Sequence, residues 1–190
     1  MNDKWLRDRL VGSISEDVVE QPAPTANPVL SAAEQVMASY QNANKWLDII
    51  KEFVLMDLGC VFFSNYIHNL AHTMPARFDK FGDILHTADI KVPYPATAGI
   101  STMPSDIPSV FQQVLDILGA ISTSLRGFIK ITQDTEAHAM ACSAEELLVG
   151  IEGEYTDLYR LRRAYNSSQD IIKFDKYVNH YINSKNTLID

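Results

Sequence analysis

The sequence predicts an all-α protein, an antiparallel four-helix bundle with small additional helices at both ends. Apolar residues recur every three or four positions through long stretches, the period of an amphipathic helix. The chain carries no strand-like alternation, no glycine-rich phosphate loop and no internal repeat. An extended, proline-bearing stretch, Lys91-Val-Pro-Tyr-Pro-Ala-Thr97, separates two pairs of long elements, as a bundle with one long crossing connection requires.

Residues 1–20 read as a short amphipathic helix, with Trp5, Leu6, Leu10 and Ile14 on one side and Lys4, Arg7 and Arg9 among the remainder. In residues 21–28 the prolines at 22, 24 and 28 forbid a helix and favour polyproline geometry, so this segment is a linker and the bundle comprises residues 29–190. Ser31 caps a modest helix to about Tyr40, with Glu34 at the capping-box position. A long helix is expected from about Asn44 to Thr73, carrying Leu47, Ile50, Val54, Leu58, Val61 and Phe62, and at about 1.5 Å per residue it spans roughly 45 Å. Pro75 suits the first turn of a new helix, which places the reversal around Thr73–Ala76 and a second, shorter helix to about Asp89. A crossing loop then runs to about Pro104.

Ser105-Asp-Ile-Pro108 is an N-terminal signal for a third helix striped with Ile107, Phe111, Val114, Leu118, Ile121, Leu125 and Phe128. Asp134 or Thr135 caps a fourth, with Met140, Ala144, Leu147, Ile151, Leu158 and Leu161 on one face. Glu154 lies on that stripe, where a carboxylate needs a partner, so it is either a core ligand or a salt-bridged residue. After Asn166-Ser-Ser168 a last helix bears Ile171, Phe174, Val178, Tyr181 and Ile182.

The length of 190 residues with 46% hydrophobic content supports one sizeable core and excludes general disorder. No apolar run reaches the length of a membrane span; the best, Phe53–Phe63, is interrupted by Asp57. The start, Met1-Asn-Asp-Lys-Trp-Leu-Arg-Asp-Arg9, lacks the uninterrupted apolar segment of a secretion signal, so the expectation is a mature protein that begins here and, by default, a cytoplasmic location. Cys60 and Cys142 sit in apolar helical patterns and are too few for a disulfide framework, so both read as buried free thiols. The net charge of −8 argues against a protein coated with basic surface for nucleic acid, without excluding a local basic element.

His68-Asn-Leu-Ala-His72, followed by Asp79, Asp83 and His86, is the chemically distinctive stretch. It holds three of the five histidines, and imidazole with carboxylate is the ligand set of iron, zinc and manganese sites. Histidines at i, i+4 share a helix face, as do Asp79, Asp83 and His86. Folding about a reversal at Thr73–Ala76 pairs His72 with Asp79 and His68 with Asp83, which proposes a metal site. The alternative is a solvated, hydrogen-bonded surface near a helix–helix turn.

Ala88-Asp-Ile-Lys-Val-Pro-Tyr-Pro95 resembles the start of the ferritin connection between second and third helices. The spacing from Asp106 to Tyr165 resembles the paired third and fourth helices of ferritins and of Dps, the DNA-protecting miniferritins. His68 resembles the histidine that Dps proteins carry as a metal ligand near the end of the first long helix. On these residues the chain resembles the ferritin-like superfamily, and Dps most. The resemblance implies a hollow homo-oligomer, a dodecamer in the Dps case, with iron storage, ferrous-ion oxidation and DNA protection under stress. The departures are specific. Lys80 stands near the position of the family's second histidine, the family's carboxylate positions fall in the acid-free Pro95–Gly99 loop, and no Glu-x-x-His occurs, the nearest form being Asp83-Ile-Leu-His86.

Lys4, Arg7 and Arg9 form a basic cluster on the N-terminal appendage, resembling the mobile extension with which some Dps proteins contact DNA phosphate; many copies in a cage would act together. Asp3, Asp8, Glu16 and Asp17 oppose it. Three functional classes follow: an iron-binding, DNA-protecting oligomer, a di-metal oxidoreductase on the same bundle, and a metal-free helical interaction module.

Overall fold

The computed structural model describes residues 27–100 and 102–186. The described residues form five helices and no strand: α1 Pro28–Met56, α2 Val61–Thr87, α3 Ile107–Asp134, α4 His138–Ser168 and α5 Ile171–Asn186. The helix expected over residues 1–20, with Lys4, Arg7 and Arg9, and the linker up to residue 26 lie outside the described residues. No described helix is long and apolar enough to cross a membrane.

Helix α1 begins earlier than Ser31 suggests, because the Asn27 side chain accepts a hydrogen bond from the Val29 amide at 3.1 Å and Pro28 occupies the first turn. It runs without a break through the region where two helices are expected. The reversal lies at Asp57–Cys60 rather than Thr73–Ala76. Gly59 there adopts a φ of +67°, the left-handed conformation that other residues resist. Pro75 is inside α2 and costs it about 3 kcal/mol in the usual case. It sits on the exposed side, while Met74, Phe78 and Phe81 are buried on the other, at about 1.5–3 kcal/mol each. Packing therefore wins over the local signal.

The start of α2 is completed from a distance. Cys60, its N-cap, makes no side-chain capping bond, and the free amide of Phe63 instead donates to Asp175 Oδ1 on α5 at 2.9 Å. Helix α3 carries its own cap: Asp106 Oδ1 accepts from the Ser109 amide at 2.8 Å, and Ser109 Oγ accepts from the Asp106 amide at 3.0 Å. Hydrogen bonding to Ser109 holds the Asp106 carboxyl below its ordinary range.

Helices α1 and α2 form one hairpin and α3 and α4 the other, with α1 packed on α3 and α2 on α4. The connection from Ala88 to Asp106 crosses the bundle lengthwise. It is pinned to α1 by the Trp46 indole donating to the Ala98 carbonyl at 3.0 Å and by the Ala98 amide donating to Asn42 at 2.7 Å. This carries α3 back to the end where α2 begins. The ring of Phe63 consequently meets Phe111 and Phe174 at 5.0 Å, and further along Phe81 meets Phe128 at 4.9 Å. Helix α5 closes one end against α2 and α4 through Phe174 and Val178.

Candidate metal centre

His68, His72, Asp79, Asp83 and His86 all lie on α2. At about 100° and 1.5 Å per residue they share one stripe of that helix but extend over about 27 Å of it, so they do not converge on one ion. The expected pairing across a reversal at residues 73–76 fails because α2 passes straight through those positions. Among the described residues no three His, Cys, Asp or Glu side chains form a cluster able to hold a metal by themselves.

Two of the five do come together. His68 Nε2 and His72 Nε2 are 3.1 Å apart, with their rings nearly perpendicular. On its other side His68 Nδ1 faces Asp48 Oδ1 of α1 at 3.7 Å. Metal–nitrogen bonds of about 2.0–2.1 Å at roughly 90–105° hold two nitrogens about 2.9–3.3 Å apart, so the pair has the spacing of two neighbouring ligands. The Asp48 carboxylate lies behind the other imidazole nitrogen but beyond hydrogen-bond distance, and His68 Nδ1 makes no hydrogen bond among the described residues. The pair is half-buried at His68 and exposed at His72.

Asp79, Asp83 and His86 line a separate cleft of about 280 Å³ against Tyr94 of the crossing loop. Lys80 is not available to replace a ligand there, because it reaches across to Glu146 at 3.0 Å. His138 is the exposed first residue of α4. Of the two thiols, Cys60 is buried, and that burial pushes its pKa up to about 11, with Asp175 adding to the rise. Cys142 contradicts the expectation of two buried thiols, since it sits on the exposed side of α4.

The interior holds a second polar system. Arg77 Nη2 donates to Glu154 Oε1 at 3.1 Å between α2 and α4. One turn on from Glu154, the buried Asp157 accepts from Tyr181 and is paired with Lys185, both on α5. Tyr40 of α1 and Tyr66 of α2 are buried nearby, their hydroxyls without hydrogen-bond partners among the described residues. Burial raises Tyr40 to about 12, partly offset by Arg77, and raises Tyr66 further.

The sequence matches no protein-family model and no curated protein sequence. The backbone is nevertheless similar to solved structures. Bacterioferritin BfrA from Mycobacterium tuberculosis superposes with a TM-score of 0.69 at 12% identity, over 83% of this chain and 94% of that one. A mycobacterial bacterioferritin gives 0.69 at 13% identity, over 83% and 94%. The fold is ferritin-like.

Ferritin-like di-metal proteins build their centre inside the bundle from a Glu on each of two helices and a Glu-x-x-His on each of the other two. The interior of this ferritin-like bundle does not fit that group. Helices α1 and α3 bury apolar side chains with Tyr40 and Thr132, and no acid. Among the described residues only α4 presents carboxylates to that interior at i, i+3, Glu154 and Asp157, and each is already neutralised by a cation of the chain. Glu154 is thus the salt-bridged residue of the two readings its position allows. Asp48 and Arg77 carried no sequence signal, since each meets its partner only through the tertiary packing of two helices.

Proposed function

We propose that this protein is a self-associating ferritin-like subunit that binds iron at its surface histidine pair rather than at a di-metal centre inside the bundle. The observation that carries this is the 3.1 Å separation of His68 Nε2 and His72 Nε2, with Asp48 behind His68. Two imidazoles suit Fe(II), and they suit zinc or manganese by the same chemistry, so all three ions belong in the test. With two protein ligands the remaining positions fall to water, to a second subunit or to a small anion. The ion would be held and passed on, and the acidic balance of the chain favours its approach.

Anaerobic titration of the intact protein with Fe(II), Zn(II) and Mn(II), followed by calorimetry, tests the site. His68→Ala with His72→Ala should abolish the tightest binding phase while leaving helix content unchanged. Unchanged stoichiometry and affinity in the double variant would remove the site. Native mass by light scattering tests self-association, and a monomer would remove the storage reading.

The narrower Dps version adds a dodecamer and DNA contact through Lys4, Arg7 and Arg9, supported by their clustering in the N-terminal segment. Deleting residues 1–20 should then abolish a salt-sensitive gel shift. A second reading, a metal-free helical interaction module, is favoured by the Arg77–Glu154 pair, which occupies part of the interior with a protein cation. It requires that none of the three ions binds.

A further inference from the structure

The chain is acidic, yet its cations are not evenly spread. Five of its 16 Lys and Arg lie between positions 159 and 177, namely Arg160, Arg162, Arg163, Lys173 and Lys176, against the two acids Asp170 and Asp175. Three of the five, Arg160 and Arg163 from α4 and Lys173 from α5, line one open cleft of about 510 Å³. Arg160, Arg163 and Ser167 follow one another at i, i+3 and i+7, on one face of α4, and the left-handed turn at Gln169 swings α5 back so that Lys173 and Tyr177 form the opposite wall.

Nothing among the described residues accounts for this grouping. Like charges three residues apart on a helix repel. The attraction of a helix C-terminus for cations is confined to the last turn, and that turn of α4 contains no basic residue. No salt bridge is formed by Arg160 or Arg163 among the described residues, whereas Arg77 and Arg126 each hold a glutamate. Asp170 offsets only Lys173, at 3.5 Å, and its carboxylate is otherwise engaged by the Lys173 amide at 3.0 Å. Both arginines are exposed, and so is Tyr177 on the rim, whose ring stacks on that of Tyr181 at 6.4 Å.

We infer that this cleft is an anion site that binds phosphate groups, with Arg160 and Arg163 as the paired guanidinium donors and Lys173 opposite them. Guanidinium forks suit phosphate oxygens bidentately, which a scattered set of surface lysines does not. The phosphate can belong to the free ion, to a nucleotide or to a nucleic-acid strand, and the site is independent of metal binding at His68 and His72.

The test uses the full chain with three probes: inorganic phosphate, a mononucleotide and a short single-stranded oligonucleotide, each at low and at moderate ionic strength. Arg160→Gln with Arg163→Gln should weaken binding at least about tenfold, and added salt should weaken it in the wild type. Lys130→Gln, an exposed cation on α3, should change nothing. Comparable affinity for all three probes would identify free phosphate as the source, and a clear preference for the oligonucleotide would identify a strand. Absence of binding to every probe at low ionic strength overturns the proposal. So does equal binding by the double variant, or an equal loss in Lys130→Gln, which would reduce the effect to overall charge. Unchanged circular dichroism in the variants keeps a folding defect from imitating a binding one.

Discussion

Arg77 and Glu154 join α2 to α4 through a guanidinium–carboxylate bond of 3.1 Å, and both side chains are largely withdrawn from solvent, at 17% and 22% exposure. In a ferritin-like bundle that seam leads to the interior where a di-metal centre would need acids. Here the acid is bound to the protein's own cation.

Arg77→Met should therefore cost about 2 kcal/mol, below the usual figure for a fully buried pair because this one retains some solvent. The loss comes from leaving Glu154 uncompensated. Adding Glu154→Gln should restore part of it, and urea unfolding of the two single variants and the double would measure the coupling. Additive losses would show that the bond contributes nothing.

Gly119 and Tyr155 make a second coupled pair. The Tyr155 hydroxyl donates to the Leu115 carbonyl at 3.0 Å and lies 2.7 Å from where a Cβ on Gly119 would stand. Gly119→Ala alone should destabilise, because hydroxyl and methyl cannot share that space. In a Tyr155→Phe background the same change should stabilise by about 0.5–1 kcal/mol, the helix preference of alanine over glycine. Thermal denaturation of the four proteins would show the change of sign.

Acid should loosen the start of α3. Asp106 has its pKa lowered by its bonds to Ser109, so its contribution is fully present above the unfolded carboxylate value, about 4, and fades as pH falls through the folded value. The stability difference between wild type and Asp106→Ala should be clear near neutral pH and shrink in acid. A difference independent of pH would mean that the charged form is not what caps the helix.

Thiol labelling should separate the cysteines. Cys142 is exposed and Cys60 is fully enclosed with its pKa raised to about 11, so the native protein should react rapidly at one thiol and at the second only on unfolding. Rapid reaction at both would contradict the packing around Cys60.

The elements most legible in the sequence are those whose signals are local. Ser105-Asp-Ile-Pro108 marks the start of α3, and Ile171, Phe174 and Val178 mark α5, because caps and apolar spacing act within a few residues. The first hairpin was legible as helix but not as two helices. Pro75 is a louder signal than Gly59, yet the buried face of Met74, Phe78 and Phe81 holds α2 through it, while Gly59 makes the turn. That displaced turn separates the expected five-residue metal set into a histidine pair and a distant cleft. The i, i+4 pair itself follows from helical geometry and is present. Its neighbour Asp48 depends on how α1 packs on α2, which one sequence does not disclose.

The bond from Asp175 to the Phe63 amide spans 112 positions of chain. A polypeptide emerging from a ribosome therefore exposes an unfinished α2 until α5 has been made. During that interval the α1–α2 hairpin has neither its terminal carboxylate nor the Phe174 ring over Phe63. A chain stopped before α5 would thus retain four helices and a frayed, apolar end, a surface of the kind that chaperones and proteases recognise. Helix α5 is in this sense the element that completes the packing of the first hairpin.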